Sequence, residues 1–393
     1  MKRYIFAIIG AMIVFSNCNK DNSRKLVSNE LQNDKLRLNN MQILASHNSY
    51  RIRTTDTVLS FLYQIQSMLP ANLNPDGLDY THENFDVQMS TYKMRGLEID
   101  VYNDPNGGDF YIRKINSVMG LDEVSHIPDL LAPGMKVLHI KDVDYNTHYY
   151  TFKQSLTALK NWSENNPNHL PLFINIETKQ DAPGDVTQLN NLGFQKAVPW
   201  DAAAADAIDA EIKSVFGEKL DAILTPDKAR GVFPSLEAMA RLNLWPTLGA
   251  SRGKIIFIMQ GAAESFYKTG HPSLKDRAMF VYAEPGTPEA AFVILNGAKS
   301  DKAEITQRVK QGYIVRTRAD SDTEEARTGD YSSMDAAFES GAQIISTDYY
   351  KPDPRGYTSP DWSTFQVSML GGSVARKNPV NATTIDVESA IND

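Results

Sequence analysis

The residues best suited to chemistry form two short groups, His47-Asn48-Ser49-Tyr50 and Glu98-Ile99-Asp100, each at the end of a predicted strand. They supply an imidazole, an amide oxygen and two carboxylates, which can hold a hard cation beside a phosphodiester. Because strand side chains alternate between faces, Glu98 and Asp100 are expected on one face, with Ile99 opposite. Two carboxylates on one face repel each other unless a cation or a proton lies between them.

Eight β-rich runs, separated by helical or irregular segments, would position these groups. The runs are 42–45, 97–101, 136–140, 172–176, 254–259, 291–295, 313–317 and 343–346, and 279–283 competes for the sixth place. The predicted helices include 58–68, 150–165, 203–216 and 332–340. This α/β pattern favours a single-domain TIM-type (β/α) barrel at residues 41–370, with irregular strands and long insertions.

Polar side chains occur where several of these strands end. They are His47, Asn48, Glu98, Asp100, His139, Glu177, Lys179, Arg316, Arg318, Asp348 and Tyr349. Barrel enzymes build their sites from the carboxyl ends of the strands, so we expect one rim to gather these groups.

A cation site is the first interpretation of this rim. Asn48, Glu98, Asp100 and Glu177 offer only oxygen atoms, the ligand set of a hard cation such as calcium, with magnesium as an alternative. Zinc is disfavoured, because its structural sites need cysteines or closely spaced histidines. The competing interpretation is a structural ion network in which Glu98 and Asp100 pair with Arg95 or Lys179.

Two histidines, His47 and His139, are the candidates for acid–base chemistry, because imidazole titrates near neutral pH and can protonate a leaving oxygen or lie charged beside a phosphate. They face one cavity if the strand at 136–140 points its odd-numbered residues inward. A hydrogen-bonded core histidine is the alternative for either residue. The segment 141–144 contains two acidic residues that could orient His139. Among the other histidines, the second choices for the acid are His126 and His148. The remaining three, which we interpret as ordinary surface or loop residues, are His82, His169 and His271.

The rest of a substrate could be bound by cationic and aromatic side chains. Lys179, Arg316 and Arg318 could neutralise a phosphate, and arginine gives a planar two-point grip. Asp348 and Tyr349 could shape a site for a sugar-like ring. The alternative is that the arginines are ordinary surface residues and that Asp348 forms a turn beside buried tyrosines, with no role in substrate binding.

The composition of the whole chain is that of a globular protein. Its 393 residues are 42% hydrophobic and 22% charged, which gives ample material for a core. The net charge of −8 argues against a nucleic acid as the main partner, since such proteins usually present a basic surface. No protein partner is predicted.

The amino terminus has the pattern of an export signal, predicted at residues 1–17, where Lys2 and Arg3 precede an apolar run too short to span a bilayer. Cys18, the only cysteine, follows and is predicted to be the acylated first residue of a bacterial lipoprotein, with a simple secretory signal as the alternative. Residues 18–40 would be a lipid-anchored tether, and 371–393 a loosely attached tail. We therefore expect an exported protein, lipid-anchored to the periplasmic or cell-surface face of a bacterial membrane.

Five stretches of the chain resemble the calcium-dependent phosphatidylinositol-specific phospholipase C family, in its bacterial and fungal branch. They are 46–50 (SHNSY), 96–102 (GLEIDVY), 136–140 (KVLHI), 172–177 (LFINIE) and 343–348 (QIISTD). The first two are specific when they occur together, and the resemblance extends from about residue 41 to 355.

The resemblance implies a TIM-type barrel that binds calcium and cleaves a phosphoinositide. The inositol 2-hydroxyl would attack the phosphorus, releasing diacylglycerol and an inositol phosphate, either cyclic or hydrolysed further. His47 would stabilise the pentacoordinate phosphorus, and His139 would protonate the leaving glyceride oxygen. The implied calcium ligands are Asn48, Glu98, Asp100 and Glu177. One of their carboxylates would take the hydroxyl proton, and our candidate is Glu98.

One departure and two alternatives accompany this resemblance. In the animal enzymes the second histidine follows the Glu-x-Asp pair closely, whereas here none follows Asp100 before His126, which leaves the identity of the acid open. A glycerophosphodiester phosphodiesterase is the nearest alternative enzyme, but an arginine normally follows the first histidine in that family, where this chain has Asn48. A non-catalytic lipid- or sugar-binding surface lipoprotein is the second alternative.

Overall fold

A computed structural model of the protein describes residues 33–68, 74–382 and 390–393. The signal peptide predicted at residues 1–17 and the acylated Cys18 lie outside these described residues. Within the described part of the chain, no helix combines the length and apolar character needed to cross a bilayer.

The strands form one sheet that curls into a barrel. They are β1 (Met41–Ser46), β2 (Gly96–Tyr102), β3 (Lys136–Val137), β4 (Leu172–Lys179), β5 (Ile255–Gly261), β6 (Phe280–Val281), β7 (Phe292–Gly297), β8 (Ile314–Arg318), β9 (Ile344–Thr347), β10 (Ala375–Lys377) and β11 (Ala390–Ile391). Eight parallel strands follow the order β6-β5-β4-β2-β1-β9-β8-β7, and a parallel bridge between Tyr282 and Phe292 joins the two ends. The predicted TIM-type barrel is confirmed.

The α-helices among the described residues lie between these strands. They are α1 (Asp56–Gln64), α2 (Phe85–Ser90), α3 (Lys114–Val118), α4 (Phe152–Asn165), α5 (Thr187–Asn191), α6 (Ala202–Phe216), α7 (Pro226–Arg230), α8 (Leu236–Arg241), α9 (Leu248–Ser251), α10 (Glu264–Lys268), α11 (Lys302–Lys310), α12 (Glu324–Thr328) and α13 (Ser332–Ser340). The helices predicted at 150–165, 203–216 and 332–340 agree with α4, α6 and α13. The helix predicted at 58–68 is α1, which ends earlier and is followed by a short 3-10 turn.

The prediction of a barrel strand at 136–140 is wrong. Only β3 forms there, and it pairs antiparallel with the end of β2. The chain then turns back through a bridge between Ile140 and Asp144, with Asp142 in the left-handed region at a φ of 66°. Both competitors for the sixth place are barrel strands instead, as β6 and β7. A short apolar run is compatible with either strand direction, so its connections decide where it pairs.

Alternation along neighbouring strands divides the side chains between the barrel interior and the surrounding core. The parallel register places Glu98 opposite Asn175 and Asp100 opposite Glu177. Ile99 lies in the hydrophobic core, whereas the carboxylates of Glu98, Asp100 and Glu177 cluster together. The expected placement of Glu98 and Asp100 on one face is therefore confirmed.

Both ends of the described chain pack against the barrel, unlike the predicted tether and tail. Leu38, inside the predicted tether, is buried, and the Arg37 guanidinium donates a 2.8 Å hydrogen bond to the backbone oxygen of Trp245. In the predicted tail, β10 adds antiparallel to β1, and β11 adds to β10. Ile391 is fully buried there. The described parts of these segments pack against the barrel because they pair with strand backbone and bury apolar side chains.

Candidate active site

A cleft of about 560 Å³ opens at the carboxyl-terminal ends of the barrel strands. Residues that follow or end β1, β4, β8 and β9 line it, as expected for a barrel rim. The predicted site residues in its lining are His47, Asn48, His139, Glu177, Lys179, Arg318 and Asp348.

Three carboxylates cluster next to this cleft, and one of them, Glu177, lines it. Glu98, Asp100 and Glu177 each offer an oxygen, and these atoms all lie within 4.8 Å of one another. Both carboxylate oxygens of Asp100 are buried without a hydrogen-bond partner among the described atoms. Burial raises the pKa of Asp100 well above its usual value, and Glu177 and Glu98 add to the rise against the opposing effect of Lys179. Oxygen-only donors with unsatisfied lone pairs fit a hard cation such as calcium.

Lys179 provides part of the ion network that was the competing interpretation. Its Nζ lies 3.0 Å from Oε1 of Glu177 and 3.6 Å from Oδ2 of Asp100. Burial would lower the pKa of Lys179, but these two carboxylates outweigh it and raise that pKa. Burial likewise opposes ionisation of Glu177, yet Lys179 lowers the Glu177 pKa overall. The ammonium group therefore stays charged and offsets part of the negative charge of the cluster.

Arg316 lies deeper in the barrel than the phosphate-binding role predicted for it requires. It is buried, ion-paired with Oε2 of Glu98, and donates a 3.1 Å hydrogen bond to Oδ1 of Asn296. Arg318, two residues further along β8, reaches the cleft. Strand alternation gave both arginines one face, but it could not tell which level of the barrel each would occupy. Arg95, the other proposed partner of the carboxylates, pairs with Asp393 instead.

Asn48 occupies the turn that follows β1. Its backbone is in the left-handed region, at a φ of 47°, which asparagine tolerates better than most residues. The side chain is buried, and its Nδ2 donates a 3.1 Å hydrogen bond to the Tyr80 hydroxyl. Since the amide nitrogen is held by Tyr80, the amide oxygen is the atom suited to a cation.

His47 is oriented by Asp348, which we had expected to bind substrate. The Nδ1 atom of His47 lies 3.0 Å from Oδ1 of Asp348, and Oδ2 accepts a 3.0 Å hydrogen bond from Arg318. Burial would raise the pKa of Asp348, but His47, His82 and Arg318 bring it well below its usual value. An ionised carboxylate on Nδ1 fixes the ring and leaves Nε2 for a substrate.

His139 is oriented in the same way by Asp144, so the prediction that the 141–144 segment orients it is confirmed for this residue. Nδ1 of His139 lies 2.8 Å from Oδ2 of Asp144, and the same oxygen accepts a 2.7 Å hydrogen bond from Nε of Arg51. Burial lowers the pKa of His139, although Asp144 opposes this change. His139 reaches the cleft from the turn after β3, so both histidines face one cavity despite the misassigned strand.

The second-choice histidines have other surroundings. His126 is highly exposed and pairs at 2.8 Å with Asp122. His148 directs Nε2 to the backbone oxygen of His82, at 2.9 Å. The cleft lining described above includes neither, which favours His139 as the acid.

Three further residues differ from their predicted surroundings. Tyr349, expected at a sugar site, is buried, and its ring packs against Tyr80 and Phe365. His82 and His169, read as surface or loop residues, are both buried. His82 directs Nε2 to the backbone oxygen of His47, at 2.7 Å, so it supports the turn that carries the first catalytic candidate.

Sequence reasoning missed Arg51, Tyr80 and Gln260. Gln260 donates a 2.9 Å hydrogen bond to Oε2 of Glu177, and its position near the end of β5 could have identified it. Arg51 follows the first chemical group by one residue, which is a weak signal. Tyr80 lies between helices in irregular structure, where no periodic pattern indicates its direction.

Comparisons with known proteins agree with this geometry. The family described as phosphoinositide phospholipase C, calcium-dependent, matches residues 36–379. The chain is similar in structure to a calcium-dependent phosphoinositol-specific phospholipase C from a Pseudomonas species, described as a myoinositol complex, with 14% identity over 88% of this chain and 97% of that chain and a TM-score of 0.52. A crystal form of that enzyme without the ligand gives 12% identity, 88% and 96% coverage and a TM-score of 0.51.

A further likeness is to a calcium-dependent phosphatidylinositol-specific phospholipase C from Streptomyces antibioticus, with 13% identity, 80% and 95% coverage and a TM-score of 0.47. No curated protein matches the chain significantly. At these identities the structural likeness to the Pseudomonas enzyme bears on the fold alone, whereas the family match spans most of the chain. This protein therefore belongs to the calcium-dependent phosphoinositide phospholipase C family, whose members are phosphodiesterases.

Proposed function

We propose that the protein cleaves phosphatidylinositol, or a closely related phosphoinositide, to diacylglycerol and a cyclic inositol phosphate. One observation carries the proposal: His47 and His139 line the same cleft, and each is held at Nδ1 by a buried carboxylate. The three-carboxylate cluster lies beside them in a chain of a calcium-dependent family. An acid and a charge-stabilising group on either side of a cation site are what phosphodiester cleavage needs.

The residues proposed to hold calcium are Asn48, Glu98, Asp100 and Glu177. Support comes from the two unpartnered oxygens of Asp100 and from a donor set made of oxygen alone. Bound calcium would lower the pKa of the attacking hydroxyl and offset the negative charge that grows on the phosphate.

The first chemical step is attack of the inositol 2-hydroxyl on phosphorus. A carboxylate of the cluster accepts the hydroxyl proton, and our candidate is Glu98. Arg316 is ion-paired with its Oε2, whereas its Oε1 lies 3.4 Å from Nε2 of Gln260, a long contact that the substrate hydroxyl can replace. His47, fixed by Asp348, presents Nε2 to the phosphate and stabilises the charge of the pentacoordinate phosphorus.

The bond from phosphorus to the glyceride oxygen breaks as the new ring closes. In its charged form His139 donates the proton on Nε2 to that leaving oxygen, and Asp144 supports this form through Nδ1 against the effect of burial on the His139 pKa. One proton leaves the inositol hydroxyl and one reaches the glyceride, so the step balances.

Phosphorus NMR of the products tests this proposal directly. We expect a cyclic inositol phosphate from phosphatidylinositol when calcium is present, and no product when a chelator removes it. Activity confined to glycerophosphoinositol would favour the glycerophosphodiester phosphodiesterase alternative and contradict the proposal. His139→Ala should abolish the signal, with His126→Ala as a matched control because that side chain is exposed and paired with Asp122.

We further propose that the enzyme is exported and held at a bacterial membrane by acylation of Cys18, which would bring it to its lipid substrate. The support is the position of this cysteine three residues after Phe15, the last residue of the apolar run at the amino terminus. Labelling of cells with an alkyne-tagged fatty acid should tag the wild-type protein and not Cys18→Ser. Equal labelling of both proteins would contradict the anchor.

A further inference from the structure

A second cavity, of about 460 Å³, lies beside the active-site cleft. We call it the apolar groove, and its walls come from α1, α3, α5 and the turn after β3. Representative lining residues are Phe61, Ile115, Val143 and Phe194, and among the described residues of the lining Gln188 is the one polar side chain. The volume is that of an ordinary small-molecule site, but this described lining offers almost nothing to a polar ligand.

The apolar groove and the active-site cleft share a wall. Pro183 and Leu189 line both cavities. The turn after β3 also joins them, because Ile140 faces the cleft and Val143 faces the groove. A ligand that extends from the cleft into the groove would therefore pass over two apolar side chains, Pro183 and Leu189.

The groove lies on the side of the cleft that carries the proposed acid. His139 belongs to the turn that supplies Ile140 and Val143, and this turn is attached to the end of β2 through β3. Arg318 and Asp348 lie at the ends of β8 and β9, which are separated from β2 by β1. A leaving group protonated by His139 would emerge toward the apolar side of the cleft.

Apolar side chains at the groove remain exposed. Leu192 is 57% exposed and Val118 is 38% exposed, and both line the groove. Contiguous exposed apolar surface beside a cleft is typical of a ligand site, because its contact with water is unfavourable.

We propose that the apolar groove binds a fatty acyl chain of the glyceride part of the substrate. The inference rests on the proposed function and extends it from the phosphate to the lipid. The inositol lies in the polar part of the cleft, the phosphate between the two histidines, and one acyl chain along Leu189 into the groove. Each methylene that enters should strengthen binding by about fourfold.

The dependence of activity on chain length tests this proposal. We would compare kcat/KM for dibutanoyl and dihexanoyl phosphatidylinositol, both as monomers, and we expect the longer substrate to be better by roughly fifteenfold, because two more methylenes enter the groove. Leu192→Asn and Val118→Asn should reduce that ratio. Leu242→Asn is the matched control, because Leu242 is 61% exposed but lies at the end of α8. An unchanged ratio in both groove variants would overturn the proposal.

A binding measurement without turnover separates this proposal from the proposed function. The fluorescent fatty acid cis-parinaric acid should bind the wild type and the Leu242→Asn control, and bind Leu192→Asn roughly fivefold more weakly. If phosphatidylinositol is not cleaved but this difference is seen, the proposed function fails and the acyl-binding groove stands. Equal binding by all three proteins would overturn the groove. The acyl-chain proposal would also be overturned if Leu192→Asn abolished adhesion to phosphatidylcholine vesicles but left the kcat/KM ratio of the two substrates unchanged. The groove residues would then contact the membrane surface instead of an acyl chain.

Discussion

Replacing Asp100 with asparagine should stabilise the calcium-free protein and at the same time weaken its calcium binding. Asp100 is fully buried beside Glu98 and Glu177, and its carboxylate oxygens have no hydrogen-bond partner among the described atoms. Asparagine keeps nearly the same shape but carries no charge to be repelled. The variant therefore removes the energetic cost of burying this carboxylate beside two others, and it also removes a ligand for the cation.

The magnitude follows from the contacts that change. An unsatisfied buried polar group costs about 1–3 kcal/mol, and more when it is charged. The variant loses the 3.6 Å contact with Lys179, but Lys179 keeps Glu177 at 3.0 Å. We expect a net gain in the free energy of unfolding of about 1 kcal/mol without calcium. At calcium concentrations near 100 times its Kd, the wild type should gain about 2.7 kcal/mol, so the order of stability reverses.

Urea denaturation with calcium and with a chelator measures this reversal. The control is Asp79→Asn, because Asp79 is another buried carboxylate but is paired with Arg53, Arg327 and Arg355. That variant should be less stable than the wild type by the same amount in both conditions. Two results would contradict the proposed calcium site: Asp100→Asn destabilises the calcium-free protein as Asp79→Asn does, or calcium stabilises the Asp100→Asn variant as much as the wild type.

Three further predictions follow from the same contacts. The raised pKa of Asp100 means that this carboxyl group holds its proton to higher pH, and calcium must displace that proton, so calcium affinity should rise with pH. Calorimetric titrations measure this affinity, and an affinity independent of pH would contradict the prediction. Arg51→Met should lower the free energy of unfolding by about 3–5 kcal/mol, because it leaves the buried Asp144 carboxylate without its arginine. A loss below about 1 kcal/mol in urea denaturation would argue against that pairing. In the described cleft lining, the lysine and the arginine are Lys179 and Arg318, and both are already paired with carboxylates. Neither is therefore free to bind additional phosphates, so phosphatidylinositol should be cleaved faster than its bisphosphate. Equal rates in mixed micelles would contradict this prediction.

The barrel could be predicted because parallel strands buried on both faces are apolar runs in the sequence. The strands β1, β2, β4 and β5 were found in this way, with errors only at their ends. The run at 136–140 failed because its local pattern is equally apolar, while the turn at Asp142 directs it back along β2. That turn depends on tertiary contacts which no period in the sequence reports.

The acidic cluster of the site could be predicted because strand alternation places Glu98 and Asp100 on one face and the strand-end rule brings Glu177 to them. The partners of the charged groups could not be predicted. Asp348 holds His47, and Arg316 pairs with Glu98 at a deeper level of the barrel. Such pairings depend on depth along the barrel axis, which the sequence does not contain.

A crystal structure of the protein grown with calcium would show whether the acidic cluster binds the ion. We expect one ion bound by oxygens of Asn48, Glu98, Asp100 and Glu177 at about 2.3–2.6 Å, with the imidazole of His47 beside it. An ion bound elsewhere, or a cluster that still holds only Lys179 and Arg316 at saturating calcium, would contradict it.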